Sequence, residues 1–134
     1  MHKNFTDNVS RIADRNVIRL HHDSIVQQSL DEIRSHGLGE RIVYFYVVDE
    51  SDRLVGVLPT RRLLTADVNT RLSELMIRNV VTISPETSIL EAHDIMGKHR
   101  LLGLPIVDGQ RCIVGSIDAV TLTGEEFDIS EREQ

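Results

Sequence analysis

The hydrophobic pattern of this chain occurs twice. In each copy, an apolar run rich in β-branched residues ends in Asp, crosses a short polar segment and resumes as a second apolar run that ends in Gly. These runs are Tyr46–Asp49 with Leu54–Gly56, and Pro105–Asp108 with Ile113–Gly115. Two such runs on either side of a polar turn predict a β-hairpin. Since the spacing from Asp to Gly is the same in both copies, the sequence predicts a duplicated unit.

Each hairpin follows a predicted strand and a predicted amphipathic helix. The strands are Val17–Leu20 and Val80–Ile83, and the helices are Ser24–Ser35 and Ser88–Lys98, in which apolar residues recur at helical spacing. A two-stranded hairpin is marginally stable alone, so the strand and the helix are expected to cover one of its faces.

Shorter elements complete the pattern. A helical turn is predicted over Asn8–Asp14, and short helices over Thr60–Leu64 and Arg71–Ile77. The first strand of the first hairpin is predicted to begin at Arg41. Asp23, or its neighbour Ser24, is expected to cap the first long helix.

The two copies superpose with constant offsets. A shift of 63 residues places Val17 on Val80 and Val26 on Ile89, and beyond the helices a shift of 59 places Tyr46 on Pro105. The difference lies in the loop after the first long helix, where insertions are tolerated. The predicted fold is therefore α/β (α+β), with two β-α-β-β-α repeats related by a pseudo-twofold axis.

The length of 134 residues, with 40% hydrophobic content, fits one two-lobed module with a substantial core. We expect a first repeat with a helical lead-in over residues 1–68 and a second repeat over 69–123. An acidic tail over 124–134 is expected to fray.

Charge and cysteine content exclude several classes. The net charge is −6, with fifteen Lys and Arg scattered among twenty-one Asp and Glu, so a nucleic-acid surface is not expected. No apolar run reaches the roughly 20 residues that span a bilayer, and the N-terminus lacks the apolar core of a secretory signal. Cys112 has no partner for a disulfide, and we expect a buried, inert thiol and a cytoplasmic location.

These residues resemble a tandem pair of cystathionine-β-synthase (CBS) domains, also called a Bateman module. The resemblance runs from about Val9 to Leu122. It is carried by Val80–Ala92, by Leu104–Asp108 and Ile113–Gly115, and by the first copy at the same spacing.

The first repeat, with Ile42–Asp49 and Gly56–Pro59, looks most like CBS repeats associated with bacterial magnesium transporters. We expect a stand-alone pair.

The resemblance implies a regulatory module rather than an enzyme. Such pairs bind AMP, ADP, ATP or S-adenosylmethionine in clefts between the repeats and dimerise through their helices. An adenine nucleotide is thus expected as a regulatory ligand, with no required cofactor and no catalytic residue. A homodimer and an unknown effector protein, such as a transporter or an enzyme, are the expected partners. The alternative is a docking or dimerisation module that has lost ligand binding.

Carried over residue by residue, the resemblance implies ligand-binding positions in three places of each repeat. On the first strands they are Ile18, Arg19, Val81 and Thr82; on the second strands, Tyr44, Tyr46, Gly103 and Pro105; after the third strands, Thr60, Arg61, Arg62 and Asp118.

The last group departs from the family's Gly-x-x-Thr/Ser-x-x-Asp pattern. In the first repeat Pro59 replaces the hydroxyl residue and Arg62 the acid, and in the second Asp118 and Thr121 stand at those positions. Losing a carboxylate that binds the ribose would weaken binding roughly ten- to a hundredfold.

Several roles stay open at this point. Arg61 and Arg62 either pair with phosphate, which would favour ADP or ATP, or begin a solvated helix. Tyr44 either stacks on the base or packs in the core or an interface. Asp118 either contacts the ribose or caps the last helix.

Adjacent His21 and His22, followed by Asp23, lie in a predicted strand-to-helix turn, with His93 and His99 elsewhere. Adjacent histidines point in different directions and have no i, i+4 partner. We therefore expect no metal site.

Overall fold

The computed structural model describes residues 5–37 and 44–119. After a single 3-10 turn at Val9–Arg11, its strands and helices follow in chain order: β1 Arg19–His21, α1 Val26–His36, β2 Tyr44–Val48, β3 Leu54–Pro59, α2 Thr60–Thr65, α3 Leu72–Leu75, α4 Ile89–His99, β4 Gly103–Val107 and β5 Ile113–Asp118. The tail over 124–134 and the start of the strand predicted from Arg41 lie outside the described residues.

The first sheet has the order β1-β2-β3. Strand β1 runs parallel to β2, with Leu20 opposite Val47, and β3 runs antiparallel to β2, with Leu58 opposite Phe45. Buried residues of α1, Val26 and Ile33 among them, pack on this sheet. The first repeat is thus a covered three-stranded sheet, as predicted, although β1 begins two residues later than expected.

The second sheet contains only β4 and β5. The strand predicted at Val80–Ile83 is wrong, because this segment forms a single parallel bridge, between Ile83 and Ile106. Ile83 donates to the Pro105 carbonyl and accepts from Val107. Pro105 occupies the position of Tyr46 in the first repeat and has no N–H to donate, so the ladder cannot extend toward Val80.

The same Asp-centred turn forms both hairpins. Asp49 Oδ1 accepts the backbone N–H groups of Ser51 at 2.8 Å and Arg53 at 3.0 Å. Asp108 Oδ1 accepts those of Gln110 and Cys112, both at 2.9 Å. A short carboxylate that satisfies the turn's own donors explains why the hairpin pattern repeats with fixed spacing.

Two helix ends are fixed by single residues. Gly37 ends α1 with a φ of 88°, and the Ser88 hydroxyl caps α4 by accepting from the Glu91 N–H at 3.1 Å. The cap expected from Asp23 or Ser24 is wrong. The N-cap of α1 is Ile25, whose N–H is satisfied by the Gln28 side chain at 2.9 Å.

Two short helices are smaller than predicted, and the cysteine is less buried. The turn expected over Asn8–Asp14 is a 3-10 turn at Val9–Arg11, and the helix expected over Arg71–Ile77 covers Leu72–Leu75. Cys112 lies just before β5, half-buried, with its thiol 3.7 Å from the Ser51 carbonyl.

Each repeat's lead-in packs on the opposite repeat. Val9 is fully buried among second-repeat residues that include Ile89 and Leu104. Conversely, Leu72 joins the core of the first repeat. Backbone bonds from Val9 N to Thr87 O (2.8 Å) and from Leu72 N to Ser24 O (2.9 Å) hold these segments.

The pseudo-twofold axis relates isolated β-bridges of one repeat to those of the other. The 63-residue shift exchanges the bridge Asn8–Ser88 with the bridge Ile25–Arg71. The bridge between Arg53 and Cys112 joins the two hairpin turns, and its two residues are related by the 59-residue shift. The predicted pair of repeats is therefore confirmed.

A third core cluster lies between the repeats. Its five buried residues are Val17, Tyr46, Val48, Leu54 and Ile113. Four partly buried residues, Tyr44, Val57, Val80 and Val107, pack against them.

Within the described ranges, the helices are all too short or too polar to cross a membrane.

Replacing Gly56 by Ala should destabilise the fold. The new Cβ would lie 2.5 Å from Met76 Sδ and 2.8 Å from Met76 Cγ, so a buried side chain would have to move. We expect Gly56→Ala to lower the free energy of unfolding by about 1–3 kcal/mol in urea denaturation. In the control Gly97→Ala, the Cβ meets open space within α4, and the free energy of unfolding should rise by about 0.5–1 kcal/mol. Equal effects of the two substitutions would contradict this packing.

Candidate ligand cleft between the repeats

A cleft opens between the two repeats beside the third core cluster. The cleft is narrow in this structure, with a cavity volume of about 40 Å³. The lining residues come from the segment before β1 and from β2, β4 and β5: Asp14, Asn16, Val17, Ile18, Tyr44, Tyr46, Gly103, Ser116, Ile117 and Asp118.

Backbone pairing fixes one side of the cleft. Asp14 and Ser116 exchange two backbone hydrogen bonds, at 2.8 and 2.9 Å. The Asp14 carboxylate also accepts the Asn16 N–H at 2.9 Å, which turns the chain toward β1. Val17 and Ile18 are consequently buried beside the lining polar groups.

Tyr46 supplies a neutral phenol to the cleft. It lies on β2 and is only 5% exposed. Burial raises the pKa of Tyr46 above its usual value, and the nearby Tyr44 and Asp118 side chains raise this pKa further. The phenol therefore keeps its proton, and with it a hydrogen-bond donor, at neutral pH.

Tyr44 and Gly103 meet at the centre of the cleft. A Cβ on Gly103 would lie 3.5 Å from Tyr44 Cδ2 and 3.3 Å from the Ile117 carbonyl oxygen. The Leu102 N–H donates to Tyr44 Oη at 3.5 Å. The Tyr44 ring therefore lies at contact distance from β4, and a side chain at position 103 would crowd the Ile117 carbonyl.

The structure brings five of the twelve predicted site residues together in this cleft. They come from both repeats and are Ile18, Tyr44, Tyr46, Gly103 and Asp118. Asp118 is the last residue of β5, opposite Gly103, and is half-buried.

The other seven do not line it. Arg19 donates to the carbonyls of Val17 and Ile113, both at 3.0 Å, so its guanidinium links the two repeats. Thr82 lines a separate open groove with Ser84 and Asp108.

Arg61 and Arg62 lie on α2, exposed to solvent. The Arg62 guanidinium donates to the Leu75 carbonyl at 2.9 Å and so contacts α3. Of the remaining predicted positions, Thr60 and Val81 are half-buried and Pro105 is buried. A ligand role stays a prediction for all twelve.

Sequence reasoning missed five lining residues, and they are Asp14, Asn16, Val17, Ser116 and Ile117. Asp14 and Asn16 precede the predicted strand, where no periodic pattern marked them. Ser116 and Ile117 do carry a signal, since they stand between Gly115 and Asp118 in the segment that matches the family's third pattern.

The pseudo-symmetric counterpart of the cleft has fewer hydrogen-bonding side chains, although Asn79 stands at the position of Asn16. The two shifts carry the polar set Asp14, Tyr46, Ser116 and Asp118 onto Ile77, Pro105, Val57 and Pro59.

The packing of the two sides also differs. Ala13 contacts Gly115 on the polar side, whereas the corresponding residue on the other side, Met76, fills the space above Gly56. Only the cleft at Asp118 therefore carries this set of hydrogen-bonding side chains.

A model of the CBS domain family matches residues 9–69 and 72–123. The chain belongs to the CBS domain family. The predicted tandem pair is thereby confirmed.

Two relatives carry CBS domains within longer proteins. Inosine-5'-monophosphate dehydrogenase of Nitrosopumilus maritimus (strain SCM1) is 38% identical over 101 residues, which cover 75% of this chain and 20% of that protein. Magnesium transporter MgtE of Thermus thermophilus is 37% identical over 94 residues, covering 70% and 20%. This CBS pair thus spans about a fifth of the length of both curated relatives.

A solved structure has the same fold at moderate identity. The cytosolic domain of the Mg²⁺ channel MgtE in complex with ATP superposes with a TM-score of 0.81 and 30% identity, over 92% of this chain and 48% of that one. The expected likeness to magnesium transporters is confirmed.

The buried phenol predicts a specific pH dependence. Because the pKa of Tyr46 is raised in the folded state, its contribution to stability is complete below the unfolded pKa of about 10 and is lost as the pH rises above it. Urea denaturation between pH 8 and 11 should therefore show a steeper loss of stability in the wild type than in Tyr46→Phe. Parallel profiles would mean that the phenol ionises freely in the folded protein.

Proposed function

We propose that this CBS pair is a regulatory module that binds one adenosine-containing ligand, of the AMP, ADP or ATP class or a neutral or cationic adenosine derivative, in the cleft at Asp118. The observation that carries the proposal is the lining itself, which combines apolar walls with hydrogen-bonding groups from both repeats. Small-molecule sites have this composition.

The lining offers a partner to each part of a nucleoside. Ile18 and Ile117 form apolar walls, and the Tyr44 ring lies beside them for the base. The carboxylate of Asp118 accepts hydrogen bonds from ribose hydroxyls, as charged acceptors do most strongly. Tyr46 adds a buried donor. The ATP complex of the MgtE cytosolic domain, 30% identical to this chain, is consistent with an adenosine ligand.

The charge of the cleft affects which group attached to the ribose can bind there. Within the described ranges, the lining includes two carboxylates, Asp14 and Asp118, and no Lys or Arg. At 4 Å, a pair of like charges costs about 1 kcal/mol in water and about 4 kcal/mol near a protein surface. We therefore expect a neutral or cationic group on the ribose to bind better than a triphosphate.

One ligand per chain follows from the asymmetry of the two clefts. Val57, Pro59 and Ile77 replace hydrogen-bonding side chains on the opposite side. The polar groups of a nucleoside would be buried there without partners, at about 1–3 kcal/mol each.

The proposed output is a change in the arrangement of this module against a second copy or an effector protein. A ligand changes that equilibrium only if it binds one arrangement more tightly than the other. Because the cleft contains residues from both repeats, an occupied cleft restrains how the repeats sit against each other.

A docking module without a ligand is the second candidate. It is favoured by exposed large apolar side chains on helices, above all Leu64 on α2 at 68% exposed and Leu90 on α4 at 49%. Such residues mark an interaction surface when they form a patch. The two candidates differ in whether an adenosine ligand binds at all.

Calorimetric titration with adenosine, S-adenosylmethionine, AMP and ATP separates them. We expect saturable binding with about one site per chain, weaker with each added phosphate. Asp118→Asn should raise the Kd by roughly ten- to a hundredfold, since it removes a charged acceptor.

The matched control is Arg62→Ala, which removes an exposed charge outside the cleft and should leave the Kd unchanged. Loss of binding in Arg62→Ala, with Asp118→Asn unaffected, would place the ligand at the first-repeat arginines instead. No heat with any of the four ligands at millimolar concentration would favour the docking module.

A further inference from the structure

Three side chains that the ligand cleft does not use meet at the other end of the first sheet. They are His21 and His22, where β1 ends, and Glu50, in the turn between β2 and β3. His22 Nε2 lies 2.9 Å from Glu50 Oε1, and the two imidazole rings are 4.9 Å apart, centre to centre. One ligand atom from each residue lies within 4.8 Å of those from the other two.

The backbone holds all three in place. The His22 N–H donates to the Val48 carbonyl at 3.0 Å, which ties the histidines to β2. The turn that carries Glu50 is closed by the two hydrogen bonds to Asp49 Oδ1. No metal site was expected here, because the histidines have no i, i+4 partner, but the fold brings Glu50 beside them, 28 residues along the chain from His22.

Two imidazoles and a carboxylate are a ligand set that suits a transition metal. Zn²⁺ binds two His and one Glu with water in the fourth position, at bonds of about 2.0–2.2 Å. Tetrahedral bonds of that length place ligand atoms roughly 3.5 Å apart, so a pair at the 4.8 Å limit must close by about 1.3 Å. The Glu50 side chain is 69% exposed and so has room to adjust to the two imidazoles.

We propose that His21, His22 and Glu50 form a binding site for a divalent transition metal of the Zn²⁺ type. The proposal does not depend on a ligand in the cleft. The second repeat has no equivalent of this site, because the two shifts carry the three residues onto Ser84, Pro85 and Gly109.

Two hydrogen bonds compete with the metal. The hydrogen bond between His22 and Glu50 must break, and each of the two side chains then binds the metal instead. The Asp23 N–H donates to His21 Nδ1 at 3.2 Å, a long bond that water can replace because Asp23 is exposed. An exposed site with these costs is expected to bind more weakly than a structural zinc centre.

Protonation sets the pH range. Metal binding needs neutral imidazoles, so affinity should fall as the pH is lowered. The hydrogen bond from His22 lowers the pKa of Glu50, which is therefore already ionised. The other charged groups that face the pair are Asp23, whose carboxylate lies 3.6 Å from His22 Nδ1, and Asp49 and Arg53 across the turn.

Selectivity follows from the donors. Imidazole nitrogen suits Zn²⁺, Ni²⁺, Co²⁺ and Cu²⁺, whereas Mg²⁺ and Ca²⁺ require oxygen ligands. This site should therefore discriminate against Mg²⁺.

The test is calorimetric titration of tag-free protein with ZnCl₂ and, separately, MgCl₂ at pH 7.5. We expect one saturable Zn²⁺ site and no comparable heat from Mg²⁺. His22→Gln and Glu50→Gln should each weaken Zn²⁺ binding at least tenfold, and an unchanged far-UV circular dichroism spectrum shows that each variant is folded.

The matched control is His93→Gln, which removes an exposed histidine of α4 and should leave the Zn²⁺ affinity unchanged. Binding of Co²⁺ should add visible absorption bands that His22→Gln lacks. The proposal is overturned if the wild type shows no saturable Zn²⁺ binding, or if His22→Gln binds Zn²⁺ as tightly as the wild type.

Discussion

Each repeat completes the hydrophobic core of the other, and the rest of the structure depends on this exchange. Val9 is buried under the second sheet, and Leu72 under the first. A hairpin and one helix leave an apolar face open, and the lead-in of the opposite repeat covers it. The exchange holds the repeats side by side and so creates the central cluster and the cleft beside it. Neither repeat is expected to be stable without its partner.

Duplication gave the chain two related clefts, and substitutions have made them unequal. The positions of Asp14, Ser116 and Asp118 are polar on one side and apolar on the other. The backbone contacts are retained, since Val57 pairs with Ile77 as Ser116 pairs with Asp14. Both sides thus share the same backbone pairing, while the carboxylates of the cleft, Asp14 and Asp118, have no counterpart on the other side. A similar asymmetry applies at the end of β1, because His21 and His22 correspond to Ser84 and Pro85 in the second repeat.

The hairpins were predictable because their determinants are local. Asp49 and Asp108 each satisfy the donors of their own turn, so spacing alone locates the strands. The strand predicted at Val80–Ile83 does not form, because its pairing partner Pro105 has no N–H to donate to the ladder. Pro105 lies more than twenty residues along the chain, so no local pattern indicates this. Half of the candidate site escaped prediction for a similar reason. Asp14 enters the cleft through its pairing with Ser116, and no local pattern in the sequence indicates that contact.

The central claim is that a nucleoside occupies one cleft of the pair and not its counterpart. Amide chemical-shift mapping of the labelled protein with added adenosine tests this most directly, because it locates the ligand without any substitution. The account predicts shifts concentrated at residues 14–18 and 116–118, with the counterpart segments 77–81 and 57–59 little changed. Equal shifts at both segments would contradict the inferred asymmetry, and shifts centred on Arg61 and Arg62 would place the ligand elsewhere.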